Sequence, residues 1–188
     1  TMNANTQEKQ IQFSYKPNIL KSVGPFLDPT HRKTYSAKID TLINLVNSSR
    51  GIVFIYSQYI HSGIVPLALA LEHEGYQKYN STGLLNYKKP KQSKGNYIIL
   101  SSVDKFSWNM NEELEICRSS ENKQGEKIKL VLATSVASEG LDFKNIRSVH
   151  IMDPWHHLNR LEQIVGRAIR YCSHVDLPET ERNVMVYF

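Results

Sequence analysis

The chain has 188 residues, a formal net charge of +5 and a pI of about 9.1. That length suits one domain with appendages, and 40% hydrophobic with 22% charged residues is globular composition with enough apolar material for a core. No apolar run approaches the ~20 residues that span a bilayer, and the mild basic excess favours polyanionic partners without demanding them.

The opening residues Thr1 to Gln10 are polar and lack the apolar stretch of a signal peptide. Residues 1–35 carry Pro17, Pro25 and Pro29 and are expected to be an irregular linker or docking arm ahead of a domain over 36–188. Ser36 is placed to cap a helix, with Ile39, Leu42, Ile43 and Val46 at helical spacing along one face and Gly51 after its end. Ile52-Val-Phe-Ile-Tyr56 is continuously apolar, β-branched and aromatic, as in a strand buried on both faces of a parallel sheet. A helix is predicted over His61 to Glu74, with Gly75 in the position of a terminating glycine. Residues 80–95 hold Lys88, Lys89, Lys91 and Lys94 around Pro90 and are expected to form a mobile basic loop.

Tyr97 to Leu100 is predicted as the second strand, Glu112 to Arg118 as a helix, and Ser119 to Lys127 as a polar turn. Ile128 to Ala133, Val149 to Met152 and Val184 to Tyr187 are further strands, with a helix over Leu158 to Tyr171 before the last. The final strand stops without a tail, as expected of a piece excised from a longer protein. Strands alternating with helices predict an α/β sheet covered on both faces. Right-handed crossovers then bring the loops that follow the strands to one edge, where ligands bind. Cys117 and Cys172 lie far apart without CxxC neighbours. They indicate neither a zinc site nor a disulfide, and are read as reduced thiols in a cytosol-like compartment.

Gln163-Ile-Val-Gly-Arg-Ala-Ile-Arg170 has the pattern Q-x-x-G-R-x-x-R on a predicted helix. Residues three or four apart share a helix face, so Gln163, Arg167 and Arg170 can point the same way, and Gly166 allows close approach. Two guanidiniums on one face suit the terminal phosphate of a nucleotide; the plainer alternative is a solvated face with two surface arginines. Ala133 to Asp142 (ATSVASEGLD) follows a predicted strand. Its small hydroxyl residues offer phosphate contacts, Gly140 permits a tight turn, and Asp142 can accept from a ribose hydroxyl. Alternatively Ser138 and Asp142 are ordinary turn caps. Trp155-His156-His157 can stack on a base or offer a metal pair, but adjacent histidines rarely converge on one metal and packing is the favoured reading; Tyr87 to Lys91 can bind nucleic acid or be a solvated loop, and Cys172-Ser173-His174 is too sparse for a zinc site.

In order along the chain, SAKIDTLINLVN with GIVFIYSQYIHSG, then ATSVASEGLDF, then DPWHHLNRLEQIVGRAIR resemble the opening helix, motif IV, motif V and motif VI of the second RecA-like domain of superfamily 2 helicases. In finer texture, HSGIVPLALALEHEGY and GRAIRYCSH resemble the helicase-like ATPases of large nucleocytoplasmic DNA viruses, the group of the poxvirus early transcription factor small subunit and its asfarvirus and giant virus relatives. The resemblance implies a RecA-like three-layer α/β sandwich with a central, mostly parallel sheet. It implies ATP and Mg2+ as ligands, bound jointly with a first RecA-like domain. Arg170 takes the arginine-finger role with Arg167 beside it; Gly140, Asp142 and Gln163 contact nucleotide. Ser57, Gln58, Ser101, Ser102, Thr134 and Ser135 touch the backbone of single-stranded or duplex nucleic acid, DNA ahead of RNA, although Ser101 and Ser102 fit equally as turn caps.

The resemblance also implies viral transcription machinery as a partner, no membrane, and a place in the host cytoplasm (viral factory) or the virion. Two departures matter. Gln163 is followed by Ile164, where many relatives carry arginine, which puts the burden on Arg167 and Arg170. The chain has no G-x-x-x-x-G-K-[ST] loop and no acidic pair of DEAD or DEAH type, so it is expected to be inactive alone. A nucleic-acid-dependent ATPase without unwinding, or a degenerate binding module, are the rival readings.

Overall fold

The structure is a computed structural model that describes residues 2–7, 10–88, 90–107, 109–135, 141–153 and 158–188. Its centre is a six-stranded sheet. In chain order the strands are β3 (Ile52–Tyr56), β4 (Tyr76–Lys78), β5 (Gly95–Leu100), β6 (Leu130–Ala133), β7 (Ile146–Ile151) and β8 (Met185–Tyr187). In space they run β4-β5-β6-β3-β7-β8, and every neighbouring pair is parallel. A separate hairpin pairs β1 (Met2–Gln7) with β2 (Gln10–Tyr15). This is the RecA-like α/β sandwich expected, with every pairing in the central sheet parallel.

β3 is buried along its whole length because its alternate residues serve two cores. Val53 and Ile55 pack with Ile39, Leu42, Ile43 and Val46 of α3 (Ala37–Ser48) and with α4 (Val65–Glu74). Ile52, Phe54 and Tyr56 face the other layer, where Leu114 and Cys117 of α5 (Met110–Arg118) and Leu161, Ile164 and Ala168 of α6 (Leu158–Ala168) lie. The Ser36 hydroxyl accepts from the Ile39 amide at 3.3 Å, as a helix cap should. Gly75 ends α4 in the left-handed region at φ 108°.

Residues 10–35 are not irregular. Gln10-Ile-Gln-Phe-Ser-Tyr15 alternates polar and apolar with the period of a strand, and Pro17 starts a short helix, α1 (Pro17–Ser22). The segment packs onto the first core through Tyr15 and Leu27. The Tyr15 hydroxyl meets His73 of α4 at 2.7 Å. Arg32, in a one-turn helix α2 (Arg32–Tyr35), is buried between Asp40 at 2.8 Å and Glu74 at 2.6 Å. The start of the basic loop is anchored: Leu84 and Leu85 are buried, and their amides donate to the buried Glu72 carboxylate at 2.7 and 2.8 Å. Lys94 bonds to Glu74 at 2.6 Å, while Lys88 and Lys91 are exposed and Lys89 lies outside the described residues.

The helix expected over 61–74 divides at Pro66. Residues Ile60–Ile64 form a π-helical turn, and α4 begins at Val65. A Cβ on Gly63 would stand 2.1 Å from Ser57 Oγ, so only glycine lets this turn close over the end of β3. At the sheet's other flank β8 is held to β7 by the buried His150, whose ring stacks on Tyr187 with centroids 4.6 Å apart and bonds to Ser148 Oγ at 2.7 Å.

Two stability changes follow. Gly63→Ala should cost about 1–3 kcal/mol in urea denaturation, since neither the turn nor the buried serine has room to yield; an unchanged midpoint would show that the turn adapts. Burial pushes the His150 imidazole down from 6.5 to about 4. Between those values the unfolded chain takes a proton that the folded chain refuses, so this histidine removes stability as pH falls from 6.5 towards 4. His150→Phe should therefore flatten the pH profile of the denaturation midpoint over that window, whatever its offset at neutral pH. Parallel profiles for the two proteins would rule the assignment out.

Candidate nucleotide and nucleic-acid site

The register Tyr56↔Ala133 and Leu100↔Ala133 brings the carboxyl ends of β3, β5 and β6 level. The hydroxyl residues expected to grip a nucleic-acid backbone stand just beyond those ends. Three of them turn inward. Ser57 is fully buried; it donates to Asp153 Oδ2 at 2.5 Å and accepts from the Tyr59 amide at 3.1 Å. Asp153 is held in turn by Lys38 of α3 at 3.7 Å, and the same ammonium donates to the Met152 carbonyl at 2.9 Å. Ser101 is buried and accepts from the Val103 amide at 3.1 Å; Thr134 is buried and donates to the Leu100 carbonyl at 3.3 Å.

These three side chains are buried, and their hydroxyls close the strand ends. Ser102 is exposed, and Gln58 and Ser135 are half-buried, so the outward surface of this edge is theirs. Gly140, Ser138 and Trp155-His156-His157 lie outside the described residues.

The motif VI residues assemble elsewhere. Asn145 immediately precedes β7, and β7 runs parallel to β3, as β6 does. Asp142 therefore lies near the amino edge of the sheet, away from the strand ends that carry Ser57 and Thr134. α6 crosses the sheet face to reach the same edge. Its apolar side is buried through Leu161, Ile164 and Ala168, which leaves Gln163 exposed and Arg167 half-buried. Both arginines converge on one carboxylate: Arg170 Nη1 bonds to Asp142 Oδ2, and Arg167 Nη1 stands 3.6 Å from Oδ1.

The Asp142 segment is stapled in place. Arg118, the last residue of α5, donates from Nε to the Asp142 carbonyl at 2.7 Å. The Phe143 amide reaches the Arg167 carbonyl at 3.3 Å, and the Asn145 amide reaches the Ser173 carbonyl at 2.9 Å. Arg170 is not on the helix, which ends at Ala168. Ser173 folds back so that its amide donates to the Arg170 carbonyl at 3.0 Å and its hydroxyl accepts the Arg170 amide at 3.3 Å. Arg170 thus enters the cluster from a turn rather than from the face it would share with Gln163 and Arg167 on a continued helix.

Two cations around one carboxylate leave a net positive centre. The ion pairs are substantially exposed, with Asp142 49% and Arg170 56% accessible. Exposed pairs of this kind are worth only about 0–1 kcal/mol, whereas guanidiniums bind phosphate oxygens in strong, geometrically matched pairs. A phosphate group can therefore displace Asp142 from the arginines at small cost. Gly166 presents open space: a Cβ there would meet nothing within 4 Å. Arg118 and Asp153 were not singled out from sequence, since a charge at a helix end or beside a proline reads as ordinary surface.

The model of the helicase conserved C-terminal domain matches residues 37–172. A protein of Acanthamoeba polyphaga mimivirus carrying the name of an ATP-dependent RNA helicase is 32% identical over 156 residues, which is 82% of this chain and 26% of that protein. A termination factor NPH-I homolog of African swine fever virus is 29% identical over 181 residues, covering 82% of this chain and 26% of its own length. The chain thus spans about a quarter of these relatives. Among solved structures, the C-terminal part of the Fun30 ATPase domain superposes with a TM-score of 0.54 at 16% identity, over 85% of this chain and 45% of that one, a likeness of fold. The chain belongs to the family of helicase conserved C-terminal domains.

Proposed function

We propose that this chain is the second motor lobe of an ATP-dependent nucleic-acid helicase or translocase, and that Arg167 and Arg170 act on the terminal phosphate of ATP held by a first RecA-like domain. The observation that carries this reading is the convergence of both guanidiniums on the single carboxylate of Asp142. Mg-ATP needs a phosphate-cradling loop and a metal-holding acid that this sequence lacks, so the first domain supplies them. On closure the two arginines leave Asp142 for the phosphate and stabilise charge on the transferring group. Asp142, freed from them, accepts from a ribose hydroxyl, while Gln163, exposed on α6, contacts the nucleotide.

Nucleic acid runs along the other edge, over Gln58, Ser102 and Ser135, where outward groups meet its backbone. Such contacts read no sequence and weaken steeply with salt. Kinship with a protein named a termination factor homolog favours service in viral transcription, as an ATPase that tracks a strand without separating a duplex; kinship with one named an RNA helicase favours unwinding. An unwinding assay on the whole protein distinguishes them. Relatives among viral proteins support a place in the viral factory of the host cytoplasm or in the virion.

The test is ATP hydrolysis by the full-length protein with and without single-stranded nucleic acid. Arg170→Ala should lower stimulated turnover by roughly 10³-fold or more, with ATP binding little changed. Turnover that nucleic acid does not stimulate, or that survives the substitution, would leave a binding module as the better account.

A further inference from the structure

Tyr171 follows Arg170 directly and is 96% exposed, the most exposed of the large hydrophobic side chains among the described residues. An aromatic ring left in water gains nothing from the fold that carries it. The backbone beneath it is nonetheless firmly held. Ser173 bonds to both backbone groups of Arg170, and its own carbonyl takes the Asn145 amide at 2.9 Å. His174 bridges the Ser173 hydroxyl at 2.8 Å and the Ile146 carbonyl at 2.6 Å. Cys172, between them, is forced into the left-handed region at φ 60°, which side chains with a Cβ disfavour. The turn accepts this conformation and fixes the point from which the Tyr171 ring projects.

The ring's neighbours identify its ligand. Arg170 and Arg167 reach Asp142, so Tyr171 shares the amino edge of the sheet with the phosphate-binding cluster. Ser102, Gln58 and Ser135, the outward groups of the nucleic-acid edge, stand beyond the opposite ends of the strands. Gly166 lies in the last turn of α6, just before the turn that bears Arg170, and the space over it is open. A nucleotide whose terminal phosphate meets the arginines and whose ribose meets Asp142 must place its base beyond that ribose, and Tyr171, next to Arg170 in the chain, is an exposed aromatic ring at the same edge.

We propose that Tyr171 is the base-binding residue of this lobe: its ring stacks on the purine of the nucleoside triphosphate and so makes the site select a heterocyclic base rather than any polyphosphate. The assignment rests on the motor reading above and adds to it a specificity-determining contact.

The experiment uses the full-length protein, with ATP and with ribose 5-triphosphate, which keeps the sugar and the phosphates and lacks the base. Stacking of a base on an aromatic side chain is strong enough that Tyr171→Ala should raise KM for ATP about tenfold or more. It should leave kcat within about twofold and KM for ribose 5-triphosphate unchanged, with Tyr171→Phe behaving as wild type. Binding of 2-aminopurine riboside triphosphate should quench its fluorescence in wild type and Tyr171→Phe but not in Tyr171→Ala. Because the side chain is exposed, its removal does not threaten the fold. An unchanged KM for ATP, an equal rise for the base-free substrate, or a change in the nucleic-acid requirement instead would overturn the proposal. Failure of the motor reading shows separately, as absence of turnover in wild type. Tyrosine-dependent quenching would then still uphold the base site, and its absence would overturn that as well.

Discussion

Six parallel strands oblige the chain to return, after each strand's carboxyl end, to the amino edge before it can begin the next. That return divides the motif-bearing blocks of the sequence between two edges. Ala133 to Ser135 leaves β6 at the carboxyl edge, and by Asp142 to Asn145 the chain is back at the amino edge, ready for β7. A short stretch that reads as one motif therefore serves two places about one strand length apart. α6 makes the same journey after β7 and delivers Arg167 and Arg170 to the edge where Asp142 waits. Neither the hydroxyl edge nor the arginine cluster could be assembled from one loop; both are consequences of the crossover direction.

At the cluster the balance of strengths matters more than the count of charges. Asp142 holds two guanidiniums in exposed pairs, which are weak, while its carbonyl is fixed by Arg118 and the main chain that follows, at Phe143 and Asn145, by the carbonyls of Arg167 and Ser173. The strong restraints thus act on the main chain and the weak ones on the side-chain tips. Such an arrangement keeps the arginines aimed while their tips are held only weakly. A buried version of the same triad would pair more firmly and carry a larger desolvation penalty on every opening.

Much of the fold was legible because parallel strands buried on both faces leave a distinctive run, as in Ile52 to Tyr56, and because α3 announces itself through Ser36 and four apolar residues on one face. The outward placement of Gln163 and Arg167 on α6 was legible for the same reason, a polar face opposite an apolar one. What sequence missed depends on long-range contacts. Leu84 and Leu85 sit within a lysine-rich stretch that looks solvated, and only the buried Glu72 carboxylate gives their amides a partner. The alternation in β2 was visible, yet nothing local said that Tyr15 would find His73. Serines 57 and 101 and Thr134 have the right chemistry for phosphate, but whether a hydroxyl faces water or its own strand end is decided by what lies across the turn, as Gly63 and Asp153 do for Ser57. The helical period carried Arg170 one turn too far because the stop is made by Ser173 and by the left-handed Cys172, neither of which is a usual breaker.

One strand touches both places. At its amino end β7 is preceded by Asn145, whose amide holds Ser173 and thereby the turn that bears Arg170 and Tyr171. At its carboxyl end it is followed by Met152 and Asp153, which hold Lys38 and the Ser57 hydroxyl. Between these points β7 pairs with β3, with one register shift at Arg147, and with β8 beside it. A paired strand in a close-packed interior resists both bending and slipping. β7 thus ties the turn that bears Arg170 and the strand end that carries Ser57 into one sheet. The same hydrogen bonds that fix the fold give the two halves of the site a common mechanical member.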